Sequence, residues 1–270
     1  MSSSATQVNV SSRRLSETGT PSSLIFQMAI RDIAVLFRTP WIIISRSLAF
    51  IIQLFVFAIL ISQLVKVPGL DFFQYYAVGS VVGTIASISL IIGYDIFEEA
   101  EEGVLDHLLT LPVSRRQFIV GRALGGAVRA MIYVTPMFAI VAFLEHFTNP
   151  ASIVSALVDL FLLAFGITGL SITVAVSVRS ANRFDVVLAL IELAIARTST
   201  ALYPIAFMPA YVAALAPFSP VSFAADSTRA ALVGFSLDLP ALAGLVAFVV
   251  VFLGLGAAFY FRRLEGGVYA

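Results

Sequence analysis

The stretch from Glu98 to Arg122, EEAEEGVLDHLLTLPVSRRQFIVGR, is the one long polar segment lying between two strongly apolar ones. It carries five of the sixteen acidic residues (Glu98, Glu99, Glu101, Glu102, Asp106) and three of the sixteen basic ones (Arg115, Arg116, Arg122). The apolar runs on either side reach the roughly 20 residues needed to cross a hydrocarbon core about 30 Å thick. A chain that concentrates charge in a loop between two such runs is presenting that loop to something outside the bilayer.

Composition agrees. The 270 residues are 60% hydrophobic and 12% charged, with mean hydropathy +1.00, against about 25% charged in soluble domains. Lipid is the main solvent, and spanning segments that satisfy their own backbone in lipid are helices. The expected class is an all-α polytopic membrane protein. A net charge of zero implies no nucleic-acid partner. The absence of cysteine removes disulfides, thiolate nucleophiles and cysteine metal sites.

Toward the N-terminus, residues 1–22 are rich in Ser and Thr and poor in bulky apolar residues, which predicts a disordered tail. Residues 23–39 place Leu24, Ile25, Met28, Ile33, Leu36 and Phe37 near one helical face, with Gln27, Arg31, Asp32 and Arg38 elsewhere. Too charged to span, this segment is expected to lie in the interface as an amphipathic helix. The transmembrane domain is expected over 40–270. Its spans are about 41–65, 72–97, 118–147, 153–178, 184–203 and 239–261, so both termini lie on one side. Gly79-x-x-x-Gly83 in the second span would permit close helix contact. Between the fifth and sixth spans, Pro204, Pro209, Pro217 and Pro220 break an apolar stretch, which predicts an external re-entrant hairpin of short helical pieces.

Twelve arginines fall on the side of the termini, whereas Lys66 and Arg229 fall on the other. The positive-inside rule therefore places the termini and the Glu98–Arg122 loop in the cytoplasm; the plasma membrane is the expected location. Away from the ends of the predicted spans lie four charged residues: Arg129, Asp159, Glu192 and Arg197. Such residues face protein or a cavity, either lining a substrate path or locking the bundle. Glu192 and Arg197 are five apart, roughly 140° around an α-helix. Cross-helix partners are therefore expected, such as Arg129 with Glu192 or Arg197 with Asp159.

Within the polar loop, Glu98 to Thr110 can continue the second helix. Leu105, Leu108, Leu109 and Leu111 form an apolar patch, Pro112 interrupts, and Ser114 can cap a new helix opening with Arg115 and Arg116. The spacing suits docking of a partner protein or a solvated loop with stop-transfer arginines. Enzyme chemistry has no constellation here. His107 and His146 fall on opposite membrane sides, no G-x-S-x-G is present, and the sole lysine, Lys66, lies in a turn without the P-loop glycine pattern.

The loop resembles the cytoplasmic loop of type-2 ABC exporter permeases: an acidic pair and Gly, a Leu-rich turn, Pro-x-Ser-Arg, then the next span. The matching residues are Glu101, Glu102, Gly103, Leu105, Leu108, Leu109, Leu111, Pro112, Ser114 and Arg115. Tyr203 to Pro209, Leu215 to Val221 and Asp226 to Arg229 are similar to that family's last external hairpin, with Ser219-Pro220 where Asn-Pro is frequent. Arg31-Asp32 and Arg38-x-Pro40 are similar to its interfacial helix. The resemblance extends over about residues 23–263. It implies a membrane-spanning permease subunit, paired with a second copy or a related permease subunit and with separate ABC ATPase subunits. Those subunits would bind ATP and Mg, leaving no cofactor on this chain. Residues 98–117 would supply the coupling helix, with Glu101–Pro112 on the ATPase and Arg115, Arg116 and Arg122 anchoring the third span at the headgroups. An ion-coupled secondary transporter and a non-transporting membrane scaffold are the alternatives from other classes.

Overall fold

The computed structural model describes residues 29–30, 33–34, 36–38, 40–64, 71–101, 115–178, 180–234, 236 and 238–265. All regular structure among them is helical. The helices are α1 (Pro40–Leu64), α2 (Phe72–Glu101), α3 (Arg115–Leu144), α4 (Pro150–Ser177), α5 (Ala181–Glu192), α6 (Ala210–Leu215), α7 (Pro220–Leu232) and α8 (Leu239–Glu265). A π turn, Leu193–Arg197, continues α5, and single 3₁₀ turns cover Ile205–Phe207 and Ala216–Phe218. The core of the polar loop, residues 102–114, with Glu102, Gly103, Leu105, Leu108, Leu109, Leu111, Pro112 and Ser114, lies outside the described residues. So do the 1–22 tail and most of 23–39, of which 29–30, 33–34 and 36–38 are helical.

Five helices, α1, α2, α3, α4 and α8, are long and apolar enough to cross a membrane, making this a multi-pass membrane protein. Their ends fall within a few residues of the expected spans. The predicted fifth span differs. Instead of one helix over 184–203, there is a 12-residue α-helix and a five-residue π turn ending at Arg197. The chain then turns through Thr198–Ser199 and is irregular to Pro204. Asn149-Pro150 begins α4: the Asn149 side chain accepts from the Ala151 N–H at 3.0 Å, and Pro150 occupies the first turn, where it forfeits no helical bond.

Helix α4 is the hub, packing against α2, α3, α7 and α8. Its residues Ala156, Leu160, Leu163, Ala164, Ile167, Thr168, Ser171 and Ile172 are buried to 1% exposure or less. In lipid, apolar area gives no drive for helices to associate, so close approach and interhelical hydrogen bonds take over. At the α2–α4 crossing, a Cβ on Gly93 would collide with Ser171, whose hydroxyl donates to the Leu90 carbonyl. Gly79 is tighter still: a Cβ there would lie 1.6 Å from the Ala201 carbonyl oxygen. The close contact at the Gly79-x-x-x-Gly83 motif is thus with the irregular segment after the π turn, not with another helix. The motif fails as a helix-pairing signal because Gly83 has only Leu202 near it, at 4.0 Å.

The proline-broken region forms the expected short helical pieces. Ser219 caps α7 through its hydroxyl, accepting from the Val221 N–H at 3.2 Å and donating to the Ile195 carbonyl at 2.5 Å. Ser and Asn are both strong N-cap residues, so Ser-Pro here does the work that Asn-Pro does at α4. Nine of the thirteen residues of α7 are buried. Arg229, which leaves α7 toward α2, was expected among external loop charges; instead its side chain is only 12% exposed. It donates to the carbonyls of Thr200 (3.1 Å), Tyr75 (3.1 Å) and Ala201 (2.5 Å), and its guanidinium stacks 3.5 Å from the centre of the Tyr75 ring. Three carbonyls and one aromatic face therefore bind α7, α2 and the segment after the π turn into one unit.

Candidate functional site

Helix α1 touches the bundle with a narrow face. Ser47, Leu54 and Ala58 are buried, and the Ser47 hydroxyl donates to the Tyr133 carbonyl at 3.0 Å. Trp41, Ile44, Leu48, Ile52, Val56 and Leu60 are exposed along the opposite side. Between α1 and the α5 π turn runs a groove floored by α2. Its floor is Tyr76, Ser80, Gly83, Thr84, Ser87 and Ile91, a spacing of three, four and eight that places one stripe of a helix toward the opening. Three hydroxyls at successive turns make this stripe polar within an otherwise apolar helix. The cavity holds about 350 Å³. A second cavity of about 320 Å³ continues along α2 and α5 toward Tyr94 and Asp185. The two share Ser87, Ile91 and Glu192.

Glu192 therefore sits where the cavities join. Its Oε1 accepts from the Ser87 hydroxyl at 2.8 Å and lies 3.6 Å from Arg197 Nη2. That pairing corrects the expectation that residues five apart point away from one another. The expectation assumed α-helical pitch, whereas Leu193–Arg197 is a π turn, whose i to i+5 repeat brings the fifth residue round to the same face. Arg197 keeps a half-exposed side chain, 56%, so its guanidinium faces the groove while held by Glu192.

The other intramembrane charges also pair differently from the expectation. Arg129 on α3 meets Asp95 on α2 at 2.6 Å rather than Glu192. Asp95 went unnoticed in the sequence because it lies near the end of a predicted span; a carboxylate one helix away from a buried arginine was the available signal. Asp159 accepts from the Ser227 hydroxyl at 2.7 Å, not from Arg197. Arg122, expected at the headgroups, is 4% exposed, since α3 turns that side inward against the bundle. Helix α2 continues to Glu101, so the start of the polar loop prolongs the helix that floors the groove. Arg115 opens the described part of α3.

Both ends of that polar loop thus leave the two helices that carry the Asp95–Arg129 pair, and a model of the ABC-2 type transporter family matches residues 23–233. The chain belongs to the ABC-2 type transporter family. The matched span takes in every helix from α1 to α7, including the groove, the ion pairs and the Arg229 anchor. A curated protein of Porphyra purpurea, ycf38, named as a candidate transport permease, is 28% identical over 160 residues, 58% of this chain. The chain spans about half of that relative's length, 54%. The polar-floored groove is the candidate functional surface of this ABC-2 family chain.

Proposed function

We propose that this permease is the membrane subunit of an ATP-driven exporter. The family match over residues 23–233 carries the reading, and the architecture supports it. The helix flooring the groove, α2, runs without a break from the Ser80–Ser87 stripe to Glu101 at the mouth of the polar loop. Force applied at the loop would reach the groove through a rigid rod. Separate ABC ATPase subunits would bind ATP and Mg and dock on Glu101, Glu102, Gly103, Leu105, Leu108, Leu109, Leu111, Pro112, Ser114 and Arg115. The loop would lie in the cytoplasm with both termini.

In this reading α5 and its π turn make a sixth crossing, completed by the irregular residues up to Tyr203, and 23–39 lies in the interface. A second copy or a related subunit would close the groove over the exposed α1 stripe and Arg197. Cargo would meet Arg197 and Glu192 at the cavity junction. Single-tag accessibility in intact cells tests the arrangement. Tags at Asn149 and Gly234 are expected to be labelled from outside, and a tag after Ala270 only after permeabilisation. Labelling of Asn149 from the cytoplasm alone would reverse the orientation and remove the polar loop from any cytoplasmic ATPase.

A further inference from the structure

Away from the groove, α4, α7 and α8 line a third cavity of about 500 Å³. Its walls are mostly apolar: Val154 and Val158 from α4 and Leu242 from α8. Two carboxylates break that lining. Asp159 is 1% exposed and lies nine residues into α4, about 14 Å from Pro150 at 1.5 Å per residue. Asp238 stands half-buried at the start of α8. Asp159 Oδ2 accepts from the Ser227 hydroxyl at 2.7 Å, and Asp238 Oδ1 caps α8 by accepting from the Ala241 N–H at 3.1 Å. Each carboxylate thus spends one oxygen on the protein. Among the described residues neither forms an ion pair, whereas Asp95 and Glu192 each meet an arginine.

A carboxylate taken out of water is costly unless a cation and hydrogen-bond donors compensate it. Asp159 receives one neutral hydroxyl and opens onto a chamber large enough for a small amphiphile. Structural polarity alone would be served by Ser or Asn, without the cost of a charge. Val154 and Val158 are 60% and 47% exposed, so the chamber opens sideways, toward the bilayer, as well as toward the α4 N-terminus. A ligand arriving from the membrane would enter apolar end and charged head together.

From this juxtaposition we infer that the chamber is a binding site for an amphipathic organic cation, its protonated amine on Asp159 and Asp238 and its chain along Val154, Val158 and Leu242. A bare metal ion fits poorly, since no group of three metal-ligating side chains occurs among the described residues and the walls are hydrocarbon. An ammonium group donates up to three hydrogen bonds, enough to use the uncommitted carboxylate oxygens. The site is separate from the α1–α2–α5 groove and does not depend on the exporter reading. The amine can belong to a free alkylamine or to an aminophospholipid headgroup.

The test uses the full chain in phosphatidylcholine nanodiscs, titrated with dodecylamine, with empty nanodiscs subtracted. Dodecylamine is expected to bind saturably and dodecanol not to compete. Asp159→Asn is expected to weaken binding tenfold or more, the loss of a charge-assisted hydrogen bond, while melting stays near wild type. Adding phosphatidylethanolamine distinguishes the sources: competition assigns the lipid headgroup, and its absence assigns a free amine. Equal binding by Asp159→Asn, or equal competition by dodecanol, would overturn the site. Should Asp159→Asn fail to fold, Val154→Trp, at an exposed position on the chamber mouth, must abolish binding; unchanged binding there overturns the proposal equally.

Discussion

Arg229 decides more of the structure than its place in the short helix α7 suggests. A lysine there keeps the charge but loses the planar fork that reaches the Thr200, Ala201 and Tyr75 carbonyls together, and loses the stacking on Tyr75. Each buried carbonyl left without a donor costs about 1–3 kcal/mol. Arg229→Lys is therefore expected to lower the unfolding midpoint in detergent markedly; an unchanged midpoint would show that the anchor is dispensable. His146 makes the opposite prediction. It ends α3 at φ 56°, while the His146 N–H donates to the Phe143 carbonyl and the Phe147 N–H to the Ala142 carbonyl. That is the two-bond helix stop usually built on glycine. His146→Gly removes the Cβ strain and is expected to stabilise the protein by up to about 1 kcal/mol, seen as a raised midpoint. Beside it, burial and then the neighbouring Asp71 push the Glu145 carboxyl above its ordinary range, opposed by the Gln74 hydrogen bond and by His146. The folded chain therefore holds that proton more tightly than the unfolded one, and this group's contribution falls as pH rises through the carboxyl range.

At the scale of the elements, the π turn Leu193–Arg197 does most to shape the groove. It sets Arg197 on the Glu192 face and aims both into the groove. Deleting Ala194, an exposed residue, would restore α-helical pitch and swing Arg197 by roughly 100°. The deletion is expected to abolish transport while leaving the Asp95–Arg129 pair and assembly intact. A deletion variant that transports normally would mean that the pair only decorates the groove. The long helices were legible in the sequence because length and hydropathy are local properties, and their ends are marked by Asn149-Pro150, Asp71 and Asp238. The π turn was not legible: one extra residue in a helical turn leaves no trace in an apolar run such as Leu193–Ala196. The ion pairs failed for the same reason, since pairing depends on rotation about each axis. Asp95 meets Arg129 only because α2 and α3 face one another at that height.

Across the whole molecule, the polar groups gather along α2. The Ser80–Ser87 stripe, the Glu192–Arg197 pair and the polar loop all belong to, or abut, one continuous 30-residue helix, α2. The family match places the chain among ABC-2 type transporters; drive from a separate ATPase through the loop is the proposal built on it. The most direct test measures ATP turnover by the partner ATPase reconstituted with this permease, wild type or carrying Leu108→Asp with Arg115→Glu. The double variant, correctly folded and inserted, is expected to lose co-purification with the ATPase and at least tenfold of the permease-stimulated turnover. Unchanged turnover and co-purification would contradict the proposal.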